Sequence, residues 1–346
     1  MSYQEEESSW PKDRIETVGC CPVCGSEESE ELYTELEDKI FFCAPGKWVL
    51  RQCSKCESGY IDPRPNVESI GLAYESYFTH YKTPDFKDLG KLEKIRRIIS
   101  NGYRNFKYGT KDSPSIMLGI LVAYLMPLGR AVIDAGMRHL PKVKGSQRLL
   151  DLGCGNGEFL LRARSAGWDV VGLDFDNKAV EAACNQGLDV RLGGIEELDP
   201  ANEQFDVITM AHVIEHVHDP VSVMQACFAL LKKGGVLWIE TPNLKSEGHK
   251  LFKDSWRGLE PPRHLVIFTL QSMVNALKGV GFSKVEILPY RRLCREMFIA
   301  SEAISKGLDP YGAKQNISTT LLKNSEKVAR LKPEKREHIS VKAWKK

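Results

Sequence analysis

The sequence predicts a doubly wound α/β domain preceded by a small cysteine-rich segment that binds a metal ion. From residue 147 onward, short β-rich runs alternate with stretches of helical periodicity, the pattern of parallel strands joined by helices. Six of the ten cysteines fall in the first 56 residues, and in a reducing compartment such clustering indicates a metal site more often than disulfides. With 346 residues, of which 42% are apolar and 27% charged, the chain can fill about two domains, which excludes disordered, collagen-like and disulfide-scaffold classes.

The overall charge of the chain is nearly balanced. Lys and Arg number 48 against 46 Asp and Glu, so the net charge of +2 provides no general attraction to nucleic acid or membranes. The first ten residues, MSYQEEESSW, are acidic and lack the apolar core of a targeting segment. We therefore expect a cytoplasmic protein.

Residues 1–65 are expected to form a zinc ribbon. Two C-x2-C pairs are separated by 28 residues, and each pair can place two thiolates on one ion. The four predicted ligands of a closed, structural Zn²⁺ site are Cys21, Cys24, Cys53 and Cys56. A β-hairpin through residues 40–53 can fill the gap between the pairs, and Cys20 and Cys43 are the candidate substitute ligands. Because residues 1–60 carry 13 acidic and six basic residues, a net charge of −7, we expect this ribbon to repel nucleic acid and to stabilise the fold.

Residues 66–146 are expected to form a helical linker or cap. A basic stretch over residues 82–111 holds nine Lys or Arg against three acids, and it precedes the apolar run from Ile116 to Leu128. That run has 13 residues, fewer than the ~20 needed to span a bilayer. One interpretation is a solvated helix followed by a helix packed on the next domain. The other is peripheral contact with an anionic membrane surface through residues 82–128.

Residues 147–346 contain the predicted α/β domain, a doubly wound, Rossmann-like sheet of seven strands. The first five strands are the runs RLLDLG, WDVVGLD, LDVRL, FDVITMA and GVLWIET. The helix before the fifth strand is expected to end at the Lys-Gly-Gly of residues 233–235. A helix at Gln271–Val280 precedes a sixth strand, FSKVEILPY, and the alternating run EHISVKAWKK predicts a last strand that is antiparallel to the sixth at the sheet edge. Residues 291–337 then form an insertion between the last two strands.

The first strand runs into a glycine-rich turn that begins with an acid. Gly153, Gly155 and Gly157 follow Asp151, and this G-x-G-x-G spacing lets the backbone approach a ligand at the start of the next helix. A dinucleotide fingerprint would need glycine where this chain has Glu158. The turn is therefore expected to bind a different nucleoside ligand.

Two carboxylates indicate the chemistry of that ligand. Asp151 suits a cationic group and would repel a pyrophosphate. Asp174 lies 17 residues after Gly157 at the end of the second strand, where it can accept hydrogen bonds from two ribose hydroxyls. We therefore expect a positively charged nucleoside.

In this order of motifs, residues 147–290 resemble the class I S-adenosylmethionine-dependent methyltransferases. The resemblance implies S-adenosylmethionine as cofactor, with the glycine turn around its methionine part and the acid after the second strand on its ribose. The implied cofactor contacts are Asp151, Gly153, Cys154, Gly155, Gly157, Asp174, Phe175, Gly194, Ile195 and Ala211. Where many members have an acid near the adenine amine, this chain reads Gly-Gly-Ile-Glu196.

A closer resemblance is to the methyltransferases that have an N-terminal zinc ribbon. It is carried by Asp62-Pro-Arg-Pro65, by the Tyr-Phe-Thr-His element at residues 77–80, and by the Trp-Arg-Gly and Pro-Pro-Arg-His motifs within residues 256–264. Members of this group are linked to methylation of small molecules, sugars and surface glycans. The resemblance implies the same class of acceptor here.

Three residues after the fourth strand are candidates for catalysis. His212, Glu215 and His216 stand at i, i+3 and i+4, so a helical turn places them on one face near the cofactor. We expect His212 to be the general base that a neutral hydroxyl or a carbon acid needs. Similar methyltransferases of the quinone-biosynthesis and small-RNA groups carry Glu-x-x-Glu-His here and bind a divalent cation. This chain has His212 in place of the first Glu, so the resemblance implies a cation on this run with His264 as a candidate fourth ligand. Alternatively, Glu215 and His216 cap or bridge the following helix, and His264 either packs in the core or contacts the substrate.

The insertion at residues 291–337 starts at the cofactor edge of the sheet and can lie over the acceptor pocket as a lid. Its 11 bases and six acids give a net charge of +5, which either favours an anionic acceptor or belongs to a solvated helical face. The resulting hypothesis is an S-adenosylmethionine-dependent methyltransferase that acts on a small molecule or on a nucleotide-linked or lipid-linked sugar. The alternatives are a zinc-ribbon RNA methyltransferase and a non-catalytic adaptor that only binds the cofactor.

Overall fold

The computed structural model describes residues 10–74, 89–312 and 316–346. The Tyr-Phe-Thr-His element at residues 77–80 and the first part of the basic stretch lie outside the described residues.

The N-terminal region is built on short antiparallel strands. They are β1 (Ile15–Glu16), β2 (Ser29–Leu36), β3 (Trp48–Cys53), β4 (Gly59–Ile61) and β5 (Arg64–Pro65). Strands β2, β3 and β4 pair in that order, and β1 pairs with β5. The predicted hairpin within residues 40–53 is half wrong. Residues 40–47 form no strand, and β3 pairs instead with β2, which precedes the predicted hairpin. The carboxylate of Asp38 accepts backbone N–H groups of Phe41 and Cys43 at 3.1 Å each, and these bonds hold the connection as a loop.

Three helices follow: α1 (Lys91–Tyr108), α2 (Leu118–Leu125) and α3 (Pro127–Gly136). Helices α1 and α2 approach very closely, because a Cβ on Gly102 would lie 1.9 Å from the carbonyl oxygen of Ile116, and one on Gly119 would lie 2.1 Å from that of Ile99. Within the described residues, no single helix has the length and apolar character to cross a membrane; α2 and α3 meet the criterion only as a pair, and they are bent by 111°.

The remaining residues form the α/β domain. Its elements are β6 (Arg148–Leu152), α4 (Glu158–Ser165), β7 (Asp169–Asp174), α5 (Asn177–Cys184), β8 (Asp189–Leu192), β9 (Phe205–Ala211), α6 (Pro220–Leu230), β10 (Leu231–Pro242), α7 (Glu247–Phe252), β11 (Val266–Ile267), α8 (Leu270–Val280), β12 (Lys284–Ile287), α9 (Cys294–Ser305), α10 (Thr319–Leu331) and β13 (His338–Trp344). Seven strands form one sheet in the order β12-β13-β10-β9-β6-β7-β8, and only β13 runs antiparallel to its neighbours. The predicted seven-stranded, doubly wound fold is confirmed.

Two details of the sheet differ from the prediction. Strand β13 pairs with β12 as expected, but it lies between β12 and β10, so β12 is the edge strand. The side chains of Ile339, Val341 and Ala343 are all buried, so one face of this inner strand packs in the core. Helix α6 ends at Leu230 instead of residues 233–235, because Leu231 is already extended and pairs with β9.

The N-terminal sheet and the α/β domain share a strand and a buried ion pair. Strand β11 adds to the N-terminal sheet by pairing antiparallel with β4. The guanidinium of Arg263, which is fully buried, lies 2.6 Å from Asp38 Oδ1 and also donates to the carbonyl of Ala73 at 3.0 Å. Breaking such a buried pair on one side costs several kcal/mol, roughly 3–5. Part of the Pro-Pro-Arg-His motif therefore joins the cysteine-rich region to the sheet.

Candidate active site

The glycine turn between β6 and α4 is packed on one side and open on the other. Gly153 and Gly157 have positive φ angles of 64° and 80°, and a Cβ on either would lie 2.4 Å from a side-chain carbon of Val213 or Leu188. Gly155 also has a positive φ, of 55°, but a Cβ there would meet nothing within 4 Å. The turn is thus a cradle whose free face is at Gly155, a shape that fits a ligand lying against the backbone.

Asp174 holds this turn in place. Its carboxylate accepts the N–H groups of Gly155 at 2.7 Å and of Asp176 at 2.9 Å. Burial raises the pKa of Asp174, and these backbone hydrogen bonds oppose the rise. Phe175, the next residue, is 74% exposed, so its ring is available to cover an adenine.

Asp151 lies underneath the turn instead of facing a ligand with a free charge. The side chain is fully buried, pairs with Arg138, and accepts a hydrogen bond from Thr209 Oγ1 at 2.8 Å. Burial raises its pKa to about 6. Its Oδ2 atom has no hydrogen-bond partner among the described residues. Arg138 therefore compensates the negative charge of the Asp151 carboxylate. Arg138 was missed, since a single arginine after a helix carries no sequence signal.

The residues expected beside the adenine lie next to Asp174 in the sheet. The backbone N–H of Gly193 donates to the carbonyl of Asp174 at 2.9 Å. The N–H of Gly194 donates to the carboxylate of Glu196 at 3.1 Å, and Ile195 is buried. The Glu196 carboxylate thus lies beside the backbone of Gly194.

His212 and Glu215 form a hydrogen-bonded pair at the end of β9. His212 Nδ1 lies 3.1 Å from Glu215 Oε1, and Thr241 Oγ1 donates to the other carboxylate oxygen at 2.9 Å. His212 has an unusual φ of 54°, and its N–H donates to the carbonyl of Glu240 at 2.8 Å. Residues 212–217 form a turn and not a regular helix, yet the predicted proximity of His212 and Glu215 is present.

The two groups shift each other's pKa in opposite directions. Burial lowers the pKa of His212, but the hydrogen bond and charge of Glu215 outweigh burial and raise that pKa above its usual value. Burial raises the pKa of Glu215, but His212 and the nearby His216 and His264 bring it down to about 2. Glu215 is therefore ionised at neutral pH. With Nδ1–H donated to Glu215, the Nε2 atom of His212 keeps a free lone pair.

His216 and His264 meet on the other side of Glu215. Their rings are 4.7 Å apart, and one ligand atom from each of Glu215, His216 and His264 lies within 4.8 Å of the others. His216 Nδ1 lies 3.0 Å from the carbonyl of Arg263, and His264 Nδ1 lies 2.8 Å from that of Gly258. Because a carbonyl only accepts, each Nδ1 donates its proton to it and Nε2 is the ring nitrogen that can take a metal ion. His216 Nδ1 also lies 2.9 Å from the Tyr74 hydroxyl, and His264 Nε2 lies 3.7 Å from Glu260 Oε2. Burial lowers the pKa of His264 to about 4, so it is neutral. The three residues fit a divalent cation.

A third group of polar residues, which the sequence did not single out, borders His212. Glu240 Oε1 is 3.8 Å from His212 Nε2 and 2.7 Å from Arg291 Nη2. The ring of His338 lies 4.7 Å from that of His212. Among the described residues, Arg291 Nε and His338 Nδ1 are buried without a hydrogen-bond partner. The sequence did carry one signal for this group, because Glu240 is a glutamate at the carboxyl end of an otherwise apolar fifth strand. Arg291 opens the insertion at residues 291–337, so the start of the insertion contacts this group.

The cysteine cluster is separate from these groups. Cys21, Cys24, Cys53 and Cys56 place their sulfur atoms within 4.8 Å of one another, and the closest pairs are 3.5 Å apart. Four thiols at this spacing fit a tetrahedral Zn²⁺ site without an open position. Cys20 is exposed and Cys43 contacts Arg263, so neither belongs to the cluster.

Residues 124–287 match the family described as "Methyltransferase domain". Relatives include the ubiquinone biosynthesis O-methyltransferase of Bordetella avium, 38% identical over 104 residues, which are 28% of this chain and 43% of the relative. The enzyme of the same name from Actinobacillus pleuropneumoniae is 35% identical over 116 residues, 30% of this chain and 50% of the relative. The chain thus spans half or less of the length of these curated relatives. The prediction of a methyltransferase domain is confirmed over the matched residues.

Among solved structures, a SAM-dependent methyltransferase from Archaeoglobus fulgidus is similar with a TM-score of 0.44 and 22% identity, covering 65% of this chain and 99% of the other. The phosphoethanolamine N-methyltransferase 2 of Haemonchus contortus, in complex with S-adenosyl-L-methionine, has a TM-score of 0.42 and 19% identity, covering 62% and 52%.

Proposed function

We propose that this chain is an S-adenosylmethionine-dependent methyltransferase that methylates a hydroxyl oxygen of a small-molecule or glycan-linked acceptor, with anionic acceptors favoured. The observation that carries the proposal is the His212–Glu215 pair, which lies at the end of β9, next to the β6 strand that leads into the glycine turn. Ligands of open α/β sheets bind at this carboxyl edge. The names of the relatives support oxygen as the methylated atom.

The residues around the turn supply the cofactor site in this proposal. Asp174 would hold the ribose hydroxyls, the backbone of residues 153–157 would lie along the methionine part, and Phe175 with Ile195 would flank the adenine. When bound, the cofactor would supply a methyl carbon for in-line attack by the acceptor oxygen, with the carbon–sulfur bond breaking as the carbon–oxygen bond forms and S-adenosylhomocysteine leaving. The orphaned Oδ2 of Asp151 and the open face at Gly155 fit a ligand with hydrogen-bond donors.

His212 is the general base of this proposal. Its Nε2 atom takes the proton of the acceptor hydroxyl as the new carbon–oxygen bond forms, and the Nδ1–H···Glu215 hydrogen bond holds the ring and stabilises the protonated imidazole. Arg291 Nε and His338 Nδ1 are buried near His212 without a hydrogen-bond partner among the described residues, so both can bond a polar group of the acceptor, while the Arg291 guanidinium pairs with Glu240. The positive charge excess of the insertion favours an anionic acceptor.

The test is methyl transfer from labelled S-adenosylmethionine to phenolic, sugar-nucleotide and lipid-linked acceptors. We expect His212→Ala to lower kcat by about 10²–10⁴-fold with unchanged cofactor affinity in calorimetry. His218→Gln is the matched control, because His218 bonds the carbonyl of Pro65 away from the site. Cofactor binding without a methylated product from any extract would favour the adaptor alternative. Salt-sensitive RNA binding with methylated RNA would favour the RNA methyltransferase.

Glu215, His216 and His264 would hold a divalent cation, which would lower the pKa of an acceptor hydroxyl. We expect chelation of labile divalent ions to reduce activity, and added Mg²⁺ or Mn²⁺ to restore it, while the cysteine-bound metal stays in place. Full activity after chelation would exclude this role and leave Glu215 as the partner of His212 alone.

The cysteine cluster is proposed to hold one structural Zn²⁺. We expect Cys24→Ser to lose this metal in elemental analysis and to lower the unfolding temperature by about 5 °C or more. The control is Cys184→Ser, which removes an exposed cysteine outside the cluster and leaves metal content unchanged.

A further inference from the structure

Helix α2 exposes its large apolar side chains and buries its small ones. Gly119 and Ala123 are buried against α1, while the exposed side chains, which we call the apolar ridge, are Ile116, Met117, Leu118, Leu121, Tyr124, Leu125 and Met126, 42–83% exposed. A surface helix of a water-soluble domain normally shows the opposite pattern. A continuous exposed apolar surface of this kind marks an interaction site.

Contacts between α1, α2 and the loop that joins them hold the ridge in place. The glycine contacts between α1 and α2 bring the two backbones together. The side-chain amides of Asn101 and Asn105 tie α1 to the connecting loop, donating to the carbonyls of Pro114 at 2.8 Å and Asp112 at 3.0 Å. The exposed residues therefore belong to a fixed hairpin, which presents them in one orientation.

A basic cleft opens beside the ridge. The cleft, of about 450 Å³, lies between the start of α3 and the helices α9 and α10. Leu128, which lines the cleft, follows Met126 of the ridge by two residues, so the ridge and the cleft adjoin along the chain. The basic residues of its wall are Arg292, Arg295, Lys323, Lys327 and Arg330. The one acid among the lining residues, Glu326, accepts a hydrogen bond from Tyr290, and none of the five bases forms an ion pair with a described acidic residue.

We propose that the apolar ridge and the basic cleft together dock this chain on the surface of an anionic lipid bilayer. The ridge side chains enter the boundary between headgroups and acyl chains, and the five bases face lipid phosphates. Charge decides between this occupant and a second copy of the chain, because two copies meeting at the ridge would bring two basic clefts together. A lipid surface supplies the complementary charge.

The test is co-sedimentation of the full chain with vesicles of phosphatidylcholine alone or mixed with phosphatidylglycerol. We expect roughly tenfold or stronger binding to the anionic vesicles, weakened by salt. Leu121→Asp with Leu125→Asp removes the ridge, and Arg292→Glu with Lys323→Glu reverses the cleft. Each pair is expected to lower binding about tenfold or more with an unchanged circular dichroism spectrum and unfolding temperature. Val67→Asp, at an exposed apolar residue elsewhere, and Lys55→Glu are the controls.

Three results would overturn the proposal. The first is equal binding to both vesicle types or no binding. The second is a native dimer that the ridge substitutions convert to a monomer in light scattering, without any vesicle binding. The third is a combination of two observations: the cleft binds soluble sugar nucleotides, and the cleft substitutions leave vesicle binding unchanged. Vesicle binding needs neither cofactor nor acceptor, so its failure would leave the proposed methyl transfer untouched.

Discussion

Asp151 and Glu215 are both completely buried carboxylates near the carboxyl ends of neighbouring strands, yet their pKa values move in opposite directions. Burial raises the pKa of Asp151 to about 6, whereas the pKa of Glu215 falls to about 2. Asp151 has Arg138 and Thr209 as partners, and one of its oxygens has none within the described part of the chain. Glu215 has both oxygens hydrogen-bonded and lies among three histidines.

The difference shows that the surroundings of a buried carboxylate decide its charge, and not burial alone. Glu215 stays ionised throughout the neutral range and can raise the pKa of His212. Asp151 approaches protonation near pH 6 and acts with Arg138 as a support beneath the glycine turn. Two substitutions test this contrast and a third tests the neighbouring Asp174, in order of decreasing expected effect.

The largest effect is expected for Glu215→Gln. We expect kcat to fall by about 10²-fold or more, because the imidazole loses the carboxylate that stabilises its protonated form. His212 acts as a base only when deprotonated, and its pKa is raised by Glu215. The acidic limb of the pH–rate profile should therefore move to lower pH in the variant. Profiles with and without added Mg²⁺ separate this effect from loss of a metal; an unmoved limb in both would disprove the pairing.

Arg138→Met tests the other carboxylate of the comparison, Asp151. It leaves the buried carboxylate of Asp151 without its cation, and we expect the free energy of unfolding at pH 7 to fall by about 3–5 kcal/mol. The loss should be smaller at pH 5, where Asp151 binds a proton in the folded state. Adding Asp151→Asn should restore most of the stability in urea unfolding. Equal losses in the single and double variants would show that Arg138 acts through its contacts with the ring of Phe159 instead.

Asp174→Asn is expected to have a smaller effect, which acts on cofactor binding through the ribose and through the backbone of Gly155 that the carboxylate holds. Replacing a charged acceptor of ribose hydrogen bonds should weaken S-adenosylhomocysteine binding about 10- to 100-fold in calorimetry. Asp176→Asn keeps the helix cap of α5 and is the control, with affinity nearly unchanged. If both variants bind equally well, the ribose is held elsewhere.

Much of the candidate site was predictable because its signals are local. The glycine spacing, the acid that ends β7 and the His-x-x-Glu-His run are each contained in a few consecutive residues at strand ends. Arg138 and Glu240 were missed for the converse reason, since each acquires its role from a partner that lies 13 residues or more away in the chain. The position of β13 inside the sheet was missed because an alternating pattern does not distinguish which neighbours a strand acquires.

The sequence by itself determined the seven strands, the doubly wound class and the residue types at the carboxyl edge, because periodicity and turn chemistry depend on near neighbours along the chain. Only the tertiary structure decided which carboxylate is neutralised, which histidine nitrogens stay available, and that β11 and the Arg263–Asp38 pair join the N-terminal sheet to the domain. Those properties depend on burial and on charges brought close from distant segments, and the energies of both are set by distance in space.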